Sequence, residues 1–342
     1  MSLLSSMTTR SAVSPPSWTP EPFRPRFPWL TGDLQTVRDT LRRDPPDPGP
    51  FARLWLELGD GDALAAAWHA GRGRETVVLV HGLTGCEDGV HIRRSAAFWR
   101  ARGHGVVRLN LRGSSPSLPR SRRPYHAGAG ADIVAALRAL PEAVRAPGLV
   151  LIGVSLGGTQ VLDALAREGE TPSLPIVAAA TICAPVLLAP VSARMMAPRN
   201  ALYHAWILRR MKAEARALGA HVPPALLAGA LAARTVRDFD ERYVAPLAGF
   251  AGAEDYYTRC SLPPRLPRIT VPTLCLTAED DPWIPADTYR AIDWDVNPQV
   301  RPLVASGGGH VGFHDRGRDG SWADRAICAF LSHHLDAERT AA

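Results

Sequence analysis

Residues 149–160 read Leu149-Val150-Leu151-Ile152-Gly153-Val154-Ser155-Leu156-Gly157-Gly158-Thr159-Gln160. The apolar run Leu149–Ile152 has the character of a strand buried on both faces, and the segment from Thr159 to Ala166 is helix-like. A serine between two glycines at a strand-to-helix turn fits a nucleophile elbow. The tight turn thrusts the hydroxyl outward in a strained backbone, and a Cβ at either flanking position would crowd the strand and the helix. Ser155 is therefore the candidate nucleophile; outside this strand–turn–helix setting the same pentapeptide would read as a packing turn.

Working outward, strands and helices alternate. Strands are expected at Thr76–Val80, Gly105–Leu111, Leu149–Val154, Ile176–Cys183, Thr273–Thr277 and Val300–Ala305. Helices are expected at His91–Arg102, Ala129–Leu140, Leu156–Arg167 and Ala323–Leu335. That alternation implies an α/β fold with a mostly parallel sheet and helices on both faces. A hairpin of Arg53–Leu58 and Ala63–Trp68, turned by Gly59-Asp60-Gly61-Asp62, makes the sheet mixed. Residues 1–22 are expected to be disordered or loosely attached, and Phe23, Phe27, Trp29 and Leu30 to anchor the next stretch on the core. Core is read over 23–185 and 263–336, with 337–342 as a tail. Between them, 186–262 holds helical patterns at Ala201–Leu218 and Pro224–Ala233 and no convincing strand. It reads as a helical cap over the serine, the plainer alternative being an extra layer of ordinary core.

A serine hydroxyl needs an adjacent base, itself oriented by a third group. In elbow architectures these follow in the order Ser, acid, His. The acid is sought after a late strand, where Glu279-Asp280-Asp281-Pro282 supplies three carboxylates; Asp281 is preferred over Asp280, and Glu279 reads as solvated. The base is sought after the last strand, in Ser306-Gly307-Gly308-Gly309-His310; His310 is preferred over His314. The oxyanion donors are expected to be the backbone N–H of Leu156, at a helix N-terminus, and of Leu83, in the loop His81-Gly82-Leu83-Thr84-Gly85. His81 reads as shaping that loop rather than moving protons.

Composition narrows the rest. The 342 residues carry a net charge of +6, and Lys212 is the single lysine among 39 basic residues. The arginines are scattered, with one denser patch at Arg120, Arg122 and Arg123, and no basic stripe interleaved with aromatics argues for nucleic acid. Five cysteines, dispersed and never in a CxxC pair, indicate neither a disulfide framework nor a zinc site, and suit a reducing cytoplasm. No cofactor or metal is expected. Met1–Met7 lacks the basic and apolar regions of a secretory signal. Thr171–Ala193 is uncharged and near the length of a membrane span, but Pro175, Pro185 and Pro190 interrupt it and Val177–Cys183 reads better as a buried strand.

Taken together the motifs resemble the YheT-like branch of the α/β-hydrolase superfamily. The resemblance rests on His81–Gly85, Asn110-Leu111-Arg112-Gly113, Tyr125-His126-Ala127-Gly128 and Gly153–Gly158. It rests also on Asp238-Phe239-Asp240, Asp255-Tyr256-Tyr257, Asp280-Asp281-Pro282 and Gly308–Phe313, with Leu34-Gln35-Thr36 near the start. It covers about residues 23–335, with Thr159 and Ala127 where the family often has asparagine and serine. It implies an eight-stranded, mostly parallel sheet, a Ser155–Asp281–His310 triad and hydrolysis of short- to medium-chain carboxylic esters or acylglycerol-like lipids. The alternatives are a thioesterase or amidase with the same triad, and a catalytically inactive binding protein of the same fold. Aspartate would be needed at Ser155 for a dehalogenase. The apolar insertion and positive charge also raise peripheral contact with a lipid surface. The Asp-Phe-Asp and Asp-Tyr-Tyr motifs, in or beside the cap, read as structural rather than catalytic.

Overall fold

The computed structural model describes residues 18–42, 45–317 and 319–341, with side chains described as far as 335. The expected segment 1–22 therefore falls, for residues 1–17, outside the described residues. Eight strands form one sheet: β1 (Ala52–Glu57), β2 (Ala63–His69), β3 (Arg74–Val80), β4 (His104–Leu109), β5 (Leu149–Val154), β6 (Ile176–Ile182), β7 (Thr273–Ala278) and β8 (Val300–Ala305). Their order is β1-β2-β4-β3-β5-β6-β7-β8. Strand β2 runs antiparallel to both of its neighbours, and every other pairing is parallel.

The Val, Leu and Ile runs explain this arrangement. Strands β4, β5 and β7 are buried at every position, as parallel strands sandwiched between helical layers must be. Helices α1 (Gly32–Leu41), α2 (Val90–Ala101), α3 (Gly130–Ala139) and α4 (Leu156–Glu170) precede β6. Between β6 and β7 come α5 (Leu188–Met195), α6 (Ala201–Ala217), α7 (Pro224–Ala232) and α8 (Ala253–Cys260); α9 (Trp322–Ala341) closes the chain. Uncharged residues 171–193 are shared between β6 and α5, and no helix among the described residues is long and apolar enough to cross a membrane.

The amino-terminal stretch departs from expectation. Phe23 is buried edge-on against Phe313 and Trp322, with ring centroids 6.1 and 5.8 Å away. Phe27 and Leu30 are not anchors: they are 80% and 52% exposed, and Trp29 is half-buried beneath the Arg38 guanidinium. Hydrogen bonds fasten the segment instead. Gln35 on α1 donates its amide to the carbonyls of Trp29 (2.6 Å) and His314 (3.0 Å). With the Gln35 amide carrying the attachment next to the helix, Phe27 and Leu30 are left facing outward while Phe23 alone of the expected anchors enters the core.

The helices between β6 and β7 build an apolar cluster of their own, which includes Ile207, Met211, Phe239, Tyr243, Tyr256 and Tyr257. The Asp-Phe-Asp and Asp-Tyr-Tyr motifs meet inside it. The Tyr257 hydroxyl donates to Asp240 at 2.6 Å and lies 2.9 Å from Ser192 Oγ, while Tyr256 Oη accepts the Ala127 N–H at 3.0 Å. Burial pushes the Asp240 carboxyl up to about 7, against the stabilising bond from Tyr257. An acid raised in the folded state stabilises fully below its unfolded value and loses that contribution as pH climbs through the folded one. Asp240→Asn, which keeps an acceptor for Tyr257, is therefore expected to be near-neutral at pH 4–5 and more stable than the parent at pH 8, by about 1–3 kcal/mol. Urea melts at both pH values test this, and a difference between the two proteins that is independent of pH would refute it.

Candidate active site

Strand β5 lies near the middle of the sheet, and the turn at its end carries Ser155 with φ 51° and ψ −126°. A non-glycine residue there costs about 1–3 kcal/mol, so the surroundings must impose the conformation. They do: the Ser155 N–H donates to Ile182 O at 2.8 Å, tying the turn to the end of β6. Close packing dictates the flanking glycines. A Cβ on Gly153 would lie 2.5 Å from the Gly158 Cα, and one on Gly157 would lie 2.3 Å from the His81 carbonyl oxygen.

Three side chains meet above this turn. His310 Nε2 lies 3.0 Å from Ser155 Oγ, and His310 Nδ1 lies 2.9 Å from Asp281 Oδ2. An ionised carboxylate can only accept, so Nδ1–H donates to Asp281 and the Nε2 lone pair accepts the serine O–H. The second oxygen of Asp281 accepts the N–H groups of Trp283 (2.8 Å) and Ile284 (2.9 Å), which fixes the carboxylate plane. Asp281 and His310 are each only 4% exposed. Water thus competes little for the charges that would form.

The rival candidates lie elsewhere. Asp280 accepts the Gly309 N–H at 2.8 Å and shapes the histidine loop, while Glu279 pairs with Arg290. His314 faces Asp39 at 3.4 Å, and burial pushes its imidazole down to about 3. His81 donates from Nδ1 to Gly82 O at 2.8 Å and accepts the Leu111 N–H at Nε2 at 3.0 Å, a neutral tautomer that braces the loop. Leu83 and Leu156 both line the cavity with Ser155, and among the described residues neither backbone N–H has an acceptor.

That cavity measures about 660 Å³. Leu188, Met195, Ile207, Met211 and Val244, all from the residues between β6 and β7, give it apolar walls. Glu214, with its carboxyl pushed up to about 7 by burial, is a polar exception. Among the described residues Cys183, Asp281 and His310 bring potential metal-ligating atoms within 4.8 Å of one another. The set suits a metal poorly. Both His310 nitrogens are already engaged, and burial holds the Cys183 thiol well above its ordinary range.

Sequence reasoning missed several contributors. Trp283 lies over the His310 ring with centroids 4.3 Å apart, and Thr36 Oγ1 accepts the His310 N–H at 2.8 Å. Thr36 stands in the Leu34-Gln35-Thr36 motif, so the signal was present without its meaning. Arg210, Glu214 and Tyr125 approach the Leu83 loop; Tyr125 stands in the Tyr125-His126-Ala127-Gly128 motif, again a signal without its meaning, while no local pattern announces Arg210 or Glu214.

A family described as having the alpha/beta hydrolase fold matches residues 75–317. The Escherichia coli K12 protein named "Putative esterase YheT" is 32% identical over 84% of this chain and 87% of its own length. Human phospholipase ABHD3 is 27% identical over 75% of this chain and 64% of its own. Among solved structures, a Pyrococcus furiosus esterase superimposes with a TM-score of 0.57 at 17% identity, covering 83% of this chain and 91% of that one, a likeness of fold. With the matched family spanning most of the sheet and the bacterial relative matched along nearly its full length, this chain belongs to the YheT-like branch of the α/β-hydrolase superfamily.

Proposed function

We propose that this protein is a serine hydrolase that cleaves carboxylic esters through an acyl-enzyme. The observation that carries the reading is the unbroken hydrogen-bond path from Ser155 Oγ through His310 to Asp281. His310 takes the serine proton as Oγ attacks the ester carbonyl, and Asp281 stabilises the imidazolium that forms. The Leu83 and Leu156 amides receive the oxyanion. The tetrahedral adduct then collapses, His310 protonates the departing alcohol, and water activated by the same imidazole releases the acid. Each amide donor is worth about 3 kcal/mol to the transition state in such sites. The helices between β6 and β7 act as the cap that closes the cavity over the acyl chain.

The names of the two relatives, an esterase and a phospholipase, support carboxylic esters, lipid esters among them, and within that class the reading is short- to medium-chain esters or acylglycerol-like lipids. The apolar walls and the volume of about 660 Å³, room for an acyl chain of several carbons, support that reading.

Ser155→Ala is expected to abolish turnover of p-nitrophenyl butyrate and labelling by a fluorophosphonate probe while the circular dichroism spectrum stays unchanged. Turnover that survives this substitution would remove Ser155 from the reaction. In a series of activated esters, kcat/KM is expected to rise about fourfold per added CH2, following the ~0.8 kcal/mol gained on burying each one, until the cavity is filled. Met211→Trp should move that optimum to shorter chains. A flat series in both proteins would show that the acyl group lies elsewhere.

A further inference from the structure

The loop after β3 turns at Gly82–Gly85, closed by the Gly85 N–H donating to Gly82 O at 3.0 Å. Its third residue, Thr84, has φ 56°. A β-branched side chain in the left-handed region is a genuine outlier, and it persists only where neighbours over-determine it. The neighbours are unusual. The Thr84 N–H donates to Tyr125 Oη at 2.6 Å, which pins the Leu83–Thr84 peptide. Arg210 Nη2 donates to Thr84 O at 2.5 Å, which pins the Thr84–Gly85 peptide, while Arg210 Nε donates to Thr84 Oγ1 at 2.9 Å. The Tyr125 hydroxyl in turn donates to Glu214 at 3.1 Å. Arg210 and Glu214 stand one turn apart on α6, so a single face of an inserted helix holds both peptide planes flanking Thr84.

We infer that Arg210 and Glu214 are positioning residues that keep the Leu83–Thr84 turn in the conformation that presents the Leu83 N–H to the substrate oxyanion. This rests on the serine-hydrolase reading and deepens it. The core supplies one donor, Leu156, on its own rigid helix terminus. The other donor, Leu83, precedes a strained residue whose strain is met by the insertion. If the clamp opens, Thr84 relaxes out of the left-handed region, the Leu83–Thr84 peptide rotates, and the preceding Gly82–Leu83 peptide, which bears the Leu83 N–H, loses the fixed neighbour that aims it. Ser155, His310 and Asp281 stay where they are, because their contacts lie on other loops. The inserted helices therefore control the electrostatic half of the reaction, not only the walls of the acyl cavity.

The test compares Arg210→Ala and Tyr125→Phe with the parent protein, each verified by circular dichroism and thermal melting. Tyr125→Phe removes one hydroxyl and is the safer variant for folding. Both are expected to lower kcat about tenfold or more with KM within about threefold, since a mispointed oxyanion donor acts on the transition state. Affinity for a trifluoromethyl ketone, a mimic of the tetrahedral adduct, should fall by the same factor as kcat/KM. Adding Thr84→Gly to Arg210→Ala should recover most of the loss, because glycine adopts positive φ without strain. A merely structural role would give none of this rescue. Unchanged kcat in both variants, or a rise in KM alone, would overturn the inference. The serine-hydrolase reading has its own check, because a parent protein that resists fluorophosphonate fails whatever these variants do.

Discussion

The site depends on one constrained turn. Strand β5 passes into α4 at Ser155, and the change of direction places this non-glycine residue at φ 51°. Everything nearby is fitted to it. Two glycines let the helix press against the strand end and the His81 carbonyl, and β6 takes the serine amide. Parallel strands make this useful, because the loops after β3, β5, β7 and β8 all emerge at the same edge of the sheet. Four loops far apart in sequence thus deliver an alcohol, an imidazole, a carboxylate and two amides to one place.

That place is also a seam between two apolar cores. Leu83, Leu156 and Trp283 pack partly against the sheet's core and partly against the inserted helices. Leu83 and Leu156 are the residues whose amides face the reacting carbonyl in the proposed mechanism, and Trp283 covers the imidazole. Their side chains therefore sense the packing of the helices between β6 and β7, while the proposed mechanism uses the backbone amides of the two leucines. Glu214 and Asp240 bring carboxyls with raised proton affinity to the same cavity, which keeps it less charged near neutral pH than its residue types suggest.

The sheet was largely legible in the sequence because its signals are local. The buried runs at Leu149–Val154 and Thr273–Ala278 and the hairpin at Gly59–Asp62 carry their own periodicity and turn chemistry. Ser155, His310 and Asp281 could be singled out because each follows a recognisable strand in a fixed order. Helix α1 was missed, although Thr31 caps it by accepting the Leu34 N–H and Asp33 stands in its first turn, because the residues it buries are Gly32 and Gln35, neither of which reads as core. Phe27 and Leu30 misled for the opposite reason: large apolar residues suggest burial, whereas Gln35 does the fastening. Arg210 was illegible, and the motif containing Tyr125 had no readable purpose, because their meaning lies in hydrogen bonds to Thr84, 126 and 41 positions away. The Asn-Leu-Arg-Gly motif belongs to the same class. Arg112 is buried between Asp62 and Asp132, and Asn110 bridges Ala65 and Glu87, scaffolding that a linear reading cannot distinguish from chemistry.

Thr36 and Gln35 hold His310 and His314 across separations of 274 and 279 residues. The imidazole loop is thereby laced to the opposite end of the polypeptide, and its own acidic partner arrives only after β7. During synthesis Ser155 leaves the ribosome long before either group. A nascent chain would thus carry the Ser155 hydroxyl with no imidazole beside it until the loops holding Asp281 and His310 dock against α1 and the turn after β5.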